Sequence, residues 1–448
     1  MRLFNLLALL VIPALTLIGL TSAHSKSQLT STVSLKESFV NNKTATVDEV
    51  GRATTLSPSI NYQATGAKNS LSIDYSLDAI YYDGLSQQDR VDHSLQLQSA
   101  FDHIPNRWVS SITSSIKQAN VDSDDTQSVN PIFQSDNSQE LITFGIGSDL
   151  KGALTSQIDY QSGINLDYVD FENSDDSHSV GVNLGLSSDT QNKFSWGTSF
   201  TSNNTALSDT DSQIDTLLVN FNYRFNRQYA LFLSADKSKT DNDFLNDVNT
   251  NFGLVWTPDR NTSLRLGIGK RDNSTSYILA SSLKTKQVTY QVDYDETITT
   301  SRALLINDAS KQQSPTALNQ TLSIAPVLVK KGTIGMTVNG KKTNVTFSYS
   351  QQTTMQDNNN IGREIRESLS LYASRSLSDT SSAQLTLSRQ ETKTVQQNAV
   401  DDVSLSYNKQ LSKSMDASGV LRSTEQKSND VANQSRQEEI SFKLHISF

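Results

Sequence analysis

The chain has 448 residues, 35% of them hydrophobic, with a mean hydropathy of -0.45 and a formal net charge of -9. An acidic chain is a poor partner for nucleic acid, and the absence of cysteine excludes disulfides, thiol chemistry, Cys-based metal sites and a lipid anchor on an N-terminal Cys. A soluble protein of this length is normally oilier. Two readings survive, a disordered polar chain or one whose apolar side faces lipid, and periodicity must decide between them.

The first element is a leader. Arg2 precedes an apolar stretch from Leu6 to Leu20, and Thr21-Ser22-Ala23 supplies small residues before His24, the pattern of a secretory signal cleaved after Ala23. Residues 1–23 are therefore expected to leave and 24–448 to form the mature protein, one unit more negative for the loss of Arg2. No later stretch reaches the roughly 18 consecutive apolar residues of a spanning helix, so a membrane form would cross as strands.

From Leu71 the odd positions read Leu71, Ile73, Tyr75, Leu77, Ala79, Tyr81, with Ser72, Asp74, Ser76 and Asp78 between them. Such alternation is a strand with two different faces. The period returns at Leu95 to Phe101, Trp108 to Ile116, Leu154 to Tyr168, Val180 to Leu186, Phe194 to Phe200, Leu217 to Phe225, Tyr229 to Ala235, Phe252 to Trp256, Leu264 to Ile268, Val288 to Tyr294, Val345 to Tyr349, Leu369 to Leu371, Leu385 to Leu387 and Val403 to Tyr407. No segment of comparable length has a helical period.

The links between strands alternate in length. Short ones are expected at His103–Asn106, Leu150–Gly152, Asp189–Asn192, Asn226–Gln228, Pro258–Asn261 and Ser412–Ser414, with Asn339-Gly340 as a type I′ turn. Long polar ones are expected at Asn120–Ser138, Asn203–Gln213, Ser238–Asn246 and Met355–Gly362. Aromatic residues (Phe101, Trp108, Phe225, Tyr229, Trp256) and basic residues (Lys151, Lys193, Arg227, Arg260, Lys341, Lys342) sit beside short turns, whereas acidic residues such as Asp122, Asp124, Asp125, Asp241 and Asp243 sit in long loops. Short turns facing the periplasm and long loops facing outward define a transmembrane, antiparallel, up-and-down β-barrel of the outer membrane, all-β, with about 22 strands and a range of about 16 to 22.

The chain ends Ile440, Phe442, Leu444, Ile446, Phe448 with polar residues between. This resembles the C-terminal strand through which the barrel assembly machinery recognises outer-membrane proteins, making that machinery an expected partner during insertion, with outer-membrane lipid and lipopolysaccharide afterwards. Candidate lumen-lining residues are Asp74, Asp78, Gln96, Gln98, Asp293 and Asp295.

Other chemistry is thin. His24, His93, His103, His178 and His445 have no His-x-x-x-His spacing. Gly145, Gly147 and Gly152 lack the Lys-Ser/Thr of a phosphate loop, no nucleophile elbow appears, and the acidic segments Asp122–Asp125 and Asp241–Asp247 lack the closing Glu of an EF-hand. No catalytic, cofactor-binding or metal residue is assigned and an enzyme is not expected; carboxylates on outer loops could still share divalent cations with lipopolysaccharide.

The segments LKESFVNN (Leu35–Asn42), Leu56-Ser57-Pro58-Ser59-Ile60, Ser72–Leu77 leading to Tyr81-Tyr82, and Tyr294–Thr300 (YDETITT) resemble outer-membrane proteins associated with PEP-CTERM and exopolysaccharide systems. The chain departs from that pattern at Val40-Asn41-Asn42, where the family has Asp-Asn. The resemblance implies a barrel serving polysaccharide export or surface-protein sorting, with polysaccharide-export components as partners. Two functions remain in view: a passage protein, or a non-conducting adhesive barrel whose loops bind surface polymer.

Overall fold

A computed structural model describes residues 26–44, 48–120, 138–171, 176–189, 192–208, 210–241, 245–246, 248–271, 274–300, 302–303, 324–355, 363–394, 397–429 and 434–448. The leader, Ala23 and the acidic segment Asp122–Asp125 lie outside these residues. The strands are β1 (Lys26–Thr44), β2 (Asp48–Thr65), β3 (Asn69–Asp83), β4 (Arg90–Ile104), β5 (Trp108–Asn120), β6 (Ser138–Thr155), β7 (Ile158–Phe171) and β8 (Ser177–Ser188). Then come β9 (Phe194–Leu207), β10 (Thr210–Arg224), β11 (Tyr229–Thr240), β12 (Val248–Asp259), β13 (Thr262–Arg271), β14 (Ser274–Lys284) and β15 (Val288–Thr300). The last are β16 (Pro326–Asn339), β17 (Thr343–Met355), β18 (Glu364–Ser378), β19 (Ser381–Lys393), β20 (Gln397–Ser412), β21 (Met415–Ser428) and β22 (Ser435–Ser447).

They form one 22-stranded antiparallel sheet in which each strand pairs with its chain neighbours. β1 pairs with both β2 and β22, so the sheet closes. The seam runs in register from Thr32↔Ser447 to Thr44↔Ser435, and the Phe448 N–H donates to the Ser31 carbonyl at 2.9 Å. Closure leaves no unpaired edge, which in hydrocarbon is a requirement.

Pleating then sorts the side chains. Residues directly opposite across a pair share a face, so the exposed apolar set Leu35, Leu56, Ile146, Leu166, Leu184, Phe200, Leu217, Leu405, Leu421 and Ile440 fixes the outer face around the ring. Ile440, Phe442 and Leu444 continue it on the closing strand.

Connections after even-numbered strands are all short, as at 66–68, 105–107, 156–157, 260–261, 340–342 and 413–414. Those after odd-numbered strands include 121–137, 301–325 and 356–363, though 208–209 and 272–273 are also tight. Trp108, Phe194, Tyr223, Phe225 and Tyr229 are exposed near the short-turn rim, and Tyr223 meets Phe225 edge-on at 5.0 Å. This is the aromatic girdle of a barrel crossing a bilayer interface.

Three local expectations are corrected. Leu150–Gly152 lies inside β6, and the turn falls at 156–157, between Leu154 and Ile158, which the alternation had joined. Gly152 is there for packing, since a Cβ at that position would sit 2.9 Å from the Tyr160 ring. Asn203–Gln213 is strand, turn and strand, paired from Asn203↔Ile214 to Leu207↔Thr210, because strands beyond the bilayer have no lipid face and lose their alternation. Gly340 does not adopt positive φ; its N–H donates to Thr343 O at 2.7 Å, so the turn centres on Lys341 and Lys342.

Leu405 is outward and 48% exposed at the middle of β20, with Ser404 on the lumen side. Leu405→Arg should cost about 2–4 kcal/mol in urea unfolding from lipid vesicles, while Ser404→Arg should cost far less.

Candidate functional site: the barrel lumen

The lumen face is polar through the middle of the ring. Asp74 and Gln96 stand opposite each other there on β3 and β4, with Gln98 beside Ser72 and Asp78 beside Asp92. Asn61 Nδ2 donates to Asp74, and Arg90 pairs with Asp92 at 2.8 Å. Asp293 and Asp295 lie on the lumen side of β15, where Gln291 Nε2 donates to Asp293 at 2.7 Å and Asp295 stands opposite Lys331. The structure thus joins Asp74 with Gln96 and leaves the β15 carboxylates on a separate stretch of wall. Of the histidines, His93 Nδ1 meets the Tyr75 hydroxyl at 2.9 Å and His103 Nε2 meets Ser110 at 3.0 Å.

On β6 to β9 the lumen face alternates glycine with amide and carboxylate. Gly163 stands opposite Asp149 and Asn183, and Gly181 opposite Asn165 and Asn203. A Cβ on Gly163 would lie 2.5 Å from Asn183 Nδ2, and one on Gly145 would lie 2.8 Å from Thr113 Oγ1 and 2.9 Å from Asp167 Oδ1. The polar side chains therefore lie flat over their glycine neighbours and present amide and carboxylate edges to the lumen. Toward the short-turn mouth this wall opens into a concavity of about 610 Å³ lined by Arg107, Lys151, Asp159, Gln161, Ser199 and Asn220.

On β11 to β13 the same device holds an aromatic ring. Phe232 is buried over Gly253 and Gly267, and the Arg265 guanidinium stacks 4.0 Å above it, a cation–π contact. At the closing seam Lys36 Nζ meets Glu439 at 2.6 Å and Ser38 Oγ donates to the same carboxylate at 3.0 Å, and on the neighbouring β20 and β21 Arg422 Nε meets Asp402 at 2.6 Å.

The loop end of the lumen has a different character. Val40, Ala53, Ile80, Leu141, Val169, Ile214, Val327, Val329 and Val400 all point inward near that rim and are buried. Val40, Ala53 and Ile80 pack together with Tyr82 and Leu85. These apolar residues share the loop end of the lumen with buried polar ones such as Asn42, Ser212, Asn249 and Asn398.

Arg302, in the connection after β15, is buried at this end as well. This residue is only 2% exposed; its Nε donates to Ser177 Oγ at 2.5 Å, Nη1 to Ser179 Oγ at 3.0 Å, and Nη2 to Asp167 O at 3.1 Å and Ser177 O at 3.4 Å. Burial pulls its pKa below the usual arginine value, and the charge of Asp167 opposes that shift. In a circular ring of 22 strands at about 4.8 Å spacing and ~40° tilt, β8 and β15 would stand about 37 Å apart. Only residue 301 separates Thr300 from Arg302, and two residues plus an arginine side chain reach about 15 Å. The wall is therefore drawn inward between β15 and β8 at this level.

No family model matches this chain. No curated protein matches it either. Among solved structures, a variant of the ferric enterobactin receptor PfeA from Pseudomonas aeruginosa is similar with a TM-score of 0.52 at 8% identity, over 94% of this chain and 81% of that one. The siderophore receptor PirA from Acinetobacter baumannii gives 0.51 at 7% over 93% and 80%, and PirA from Pseudomonas aeruginosa 0.50 at 11% over 94% and 80%. At these identities the likeness is one of fold: a closed barrel of the outer-membrane receptor type.

The glycines separate into two classes by what a side chain would strike. A Cβ at Gly253 or Gly269 would overlap a backbone carbonyl, of Leu266 and Thr250 respectively, whereas at Gly181 it would meet only the amide ends of Asn165 and Asn203. Gly253→Ala and Gly269→Ala should each cost about 1–3 kcal/mol in chemical unfolding, and Gly181→Ala should be near neutral.

Proposed function

We propose that this chain is an outer-membrane passage protein, exported by its 1–23 leader, whose polar lumen is held shut at the loop end. The observation that carries this reading is the continuous polar wall of β6 to β9. It runs from the concavity at Lys151 and Asp159 up to the Arg302 contact on Ser177 and Ser179. Buried residues crowded at the loop end narrow the mouth of the lumen, the apolar ones disfavouring water there, and Arg302 ties the chain after β15 to β8 at that end. Amide, carboxylate and hydroxyl groups lying flat on a glycine floor suit a hydroxyl-rich polymer that slides without stacking. The resemblance to exopolysaccharide-associated barrels supplies the setting, export of a polysaccharide or sorting of a surface protein. The burial of inward side chains at the loop end also favours a second reading, a non-conducting adhesive barrel.

Planar bilayers separate them. Arg302→Ala removes charge-assisted hydrogen bonds of about 1.5–3 kcal/mol each, enough to shift a closed-to-open balance roughly tenfold or more. Wild type should conduct in rare events and Arg302→Ala at least about tenfold more often. Silence from both, in protein shown to be folded, contradicts the passage reading and leaves the adhesive one.

A further inference from the structure

The outer face carries a second organised feature, independent of the lumen. In direct register across β19 to β22 and onto β1, Leu385, Leu405, Leu421, Ile440 and Phe39 form one apolar row. Four residues nearer the loop rim on each strand, about 13 Å along the strand, stands a second continuous row: Arg389, Asp401, Glu425, Arg436 and Lys43, extended by Asp48 on β2. Most ion pairs among the described residues lie on this sector of the outer face, on β18 to β22 and β1 to β3. Lys427 reaches Asp401 and Glu425 at 3.0 Å each, Lys393 reaches Glu367 at 3.2 Å and Glu391 at 3.1 Å, and Arg52 reaches Asp83 at 2.9 Å.

Like charges placed directly opposite on a sheet repel, and the belt answers this unevenly. The carboxylates Asp401 and Glu425 share Lys427, and Glu367 and Glu391 share Lys393. Arg436 and Lys43 also stand opposite each other; Arg436 pairs with Glu438 of its own strand at 2.6 Å and faces Glu425 on β21, and Lys43 pairs with Asp48 on β2 at 3.1 Å, so among the described residues no carboxylate is ion-paired to both cations. Their side chains are 61% and 65% exposed. Two adjacent cations facing outward, just beyond the apolar band, match the oxygens of a phosphate in a lipid headgroup. The row is about 24 Å wide across six strands, broader than a single phospholipid headgroup, and its carboxylates suit sugar hydroxyls.

We propose that this belt docks a phosphorylated glycolipid of the outer leaflet, with one of its phosphates bound between Lys43 and Arg436 at the closing seam. The proposal rests on the outer-membrane placement given above and is independent of whether the lumen conducts. It is tested by quantifying lipopolysaccharide retained through detergent purification, and by competition with vesicles of lipid A or of phosphatidylglycerol. Heat-modifiable gel migration reports folding.

K43S/R436S should lower retention at least fivefold, while K43R/R436K, and K237S/K239S on the distant outer face of β11, retain wild-type levels. If the double variant fails to fold, K43S and R436S taken singly should each show a partial loss. Wild-type retention by folded K43S/R436S overturns the proposal, as does equal competition by phosphatidylglycerol. A change confined to oligomeric state in native mass spectrometry would assign the belt to a protein partner and overturn it too. Bilayer conductance of K43S/R436S should match wild type, so a silent pore leaves this outcome readable.

Discussion

In hydrocarbon every backbone N–H and C=O must be paired within the protein, because no water is there to take its place. That requirement makes β22 pair with β1, although they lie at opposite ends of the chain. Closure then dictates the rest. A closed sheet has one face on lipid and one on the lumen, so the apolar side chains that a soluble protein would bury inside are spent on the outside. The low hydrophobic content of the chain follows from this geometry, since only one side of each strand, over the thickness of a bilayer, has to be oily.

The ring is not uniform along its axis. Its short-turn end is basic and girdled by aromatics, its middle is lined by Gly, Asn, Asp and Ser, and its loop end carries buried inward residues, apolar and polar, with Arg302 bonded to Ser177. The outer face changes at a similar height from apolar to charged. These transitions give the molecule a direction, with different side-chain chemistry at its two ends.

Much of this was legible in the sequence within the lipid band, where period-two alternation is enforced on every strand. It was illegible where the constraint ends. Asn203 to Gln213 reads as loop because a strand between water and a polar lumen has no apolar face, and the turn after β6 was misplaced because Lys151-Gly152 has turn composition but serves Tyr160. For the site, Asp74 and Gln96 followed from face assignment alone. The glycine wall had a readable signal in the odd positions Gly145, Gly147, Asp149 and Gly163, Asn165, Asp167, and the buried inward apolar residues of the loop end had one in apolar positions interrupting polar faces, such as Ile80 and Val400. Arg302 had none, since a lone arginine in a connection acquires meaning only when β8 is placed beside it.

The seam is where the account is most directly exposed, and the cysteine-free chain makes it accessible. Ser38 and Ser441 stand opposite each other across β1 and β22 on the lumen side, both buried, whereas Ser404 lies two strands away. With cysteine at 38 and 441, oxidation in the membrane should give an intramolecular disulfide that shifts gel mobility, and the pair at 38 and 404 should give none. Failure of the 38–441 pair to cross-link, or cross-links only between chains, would contradict a closed barrel.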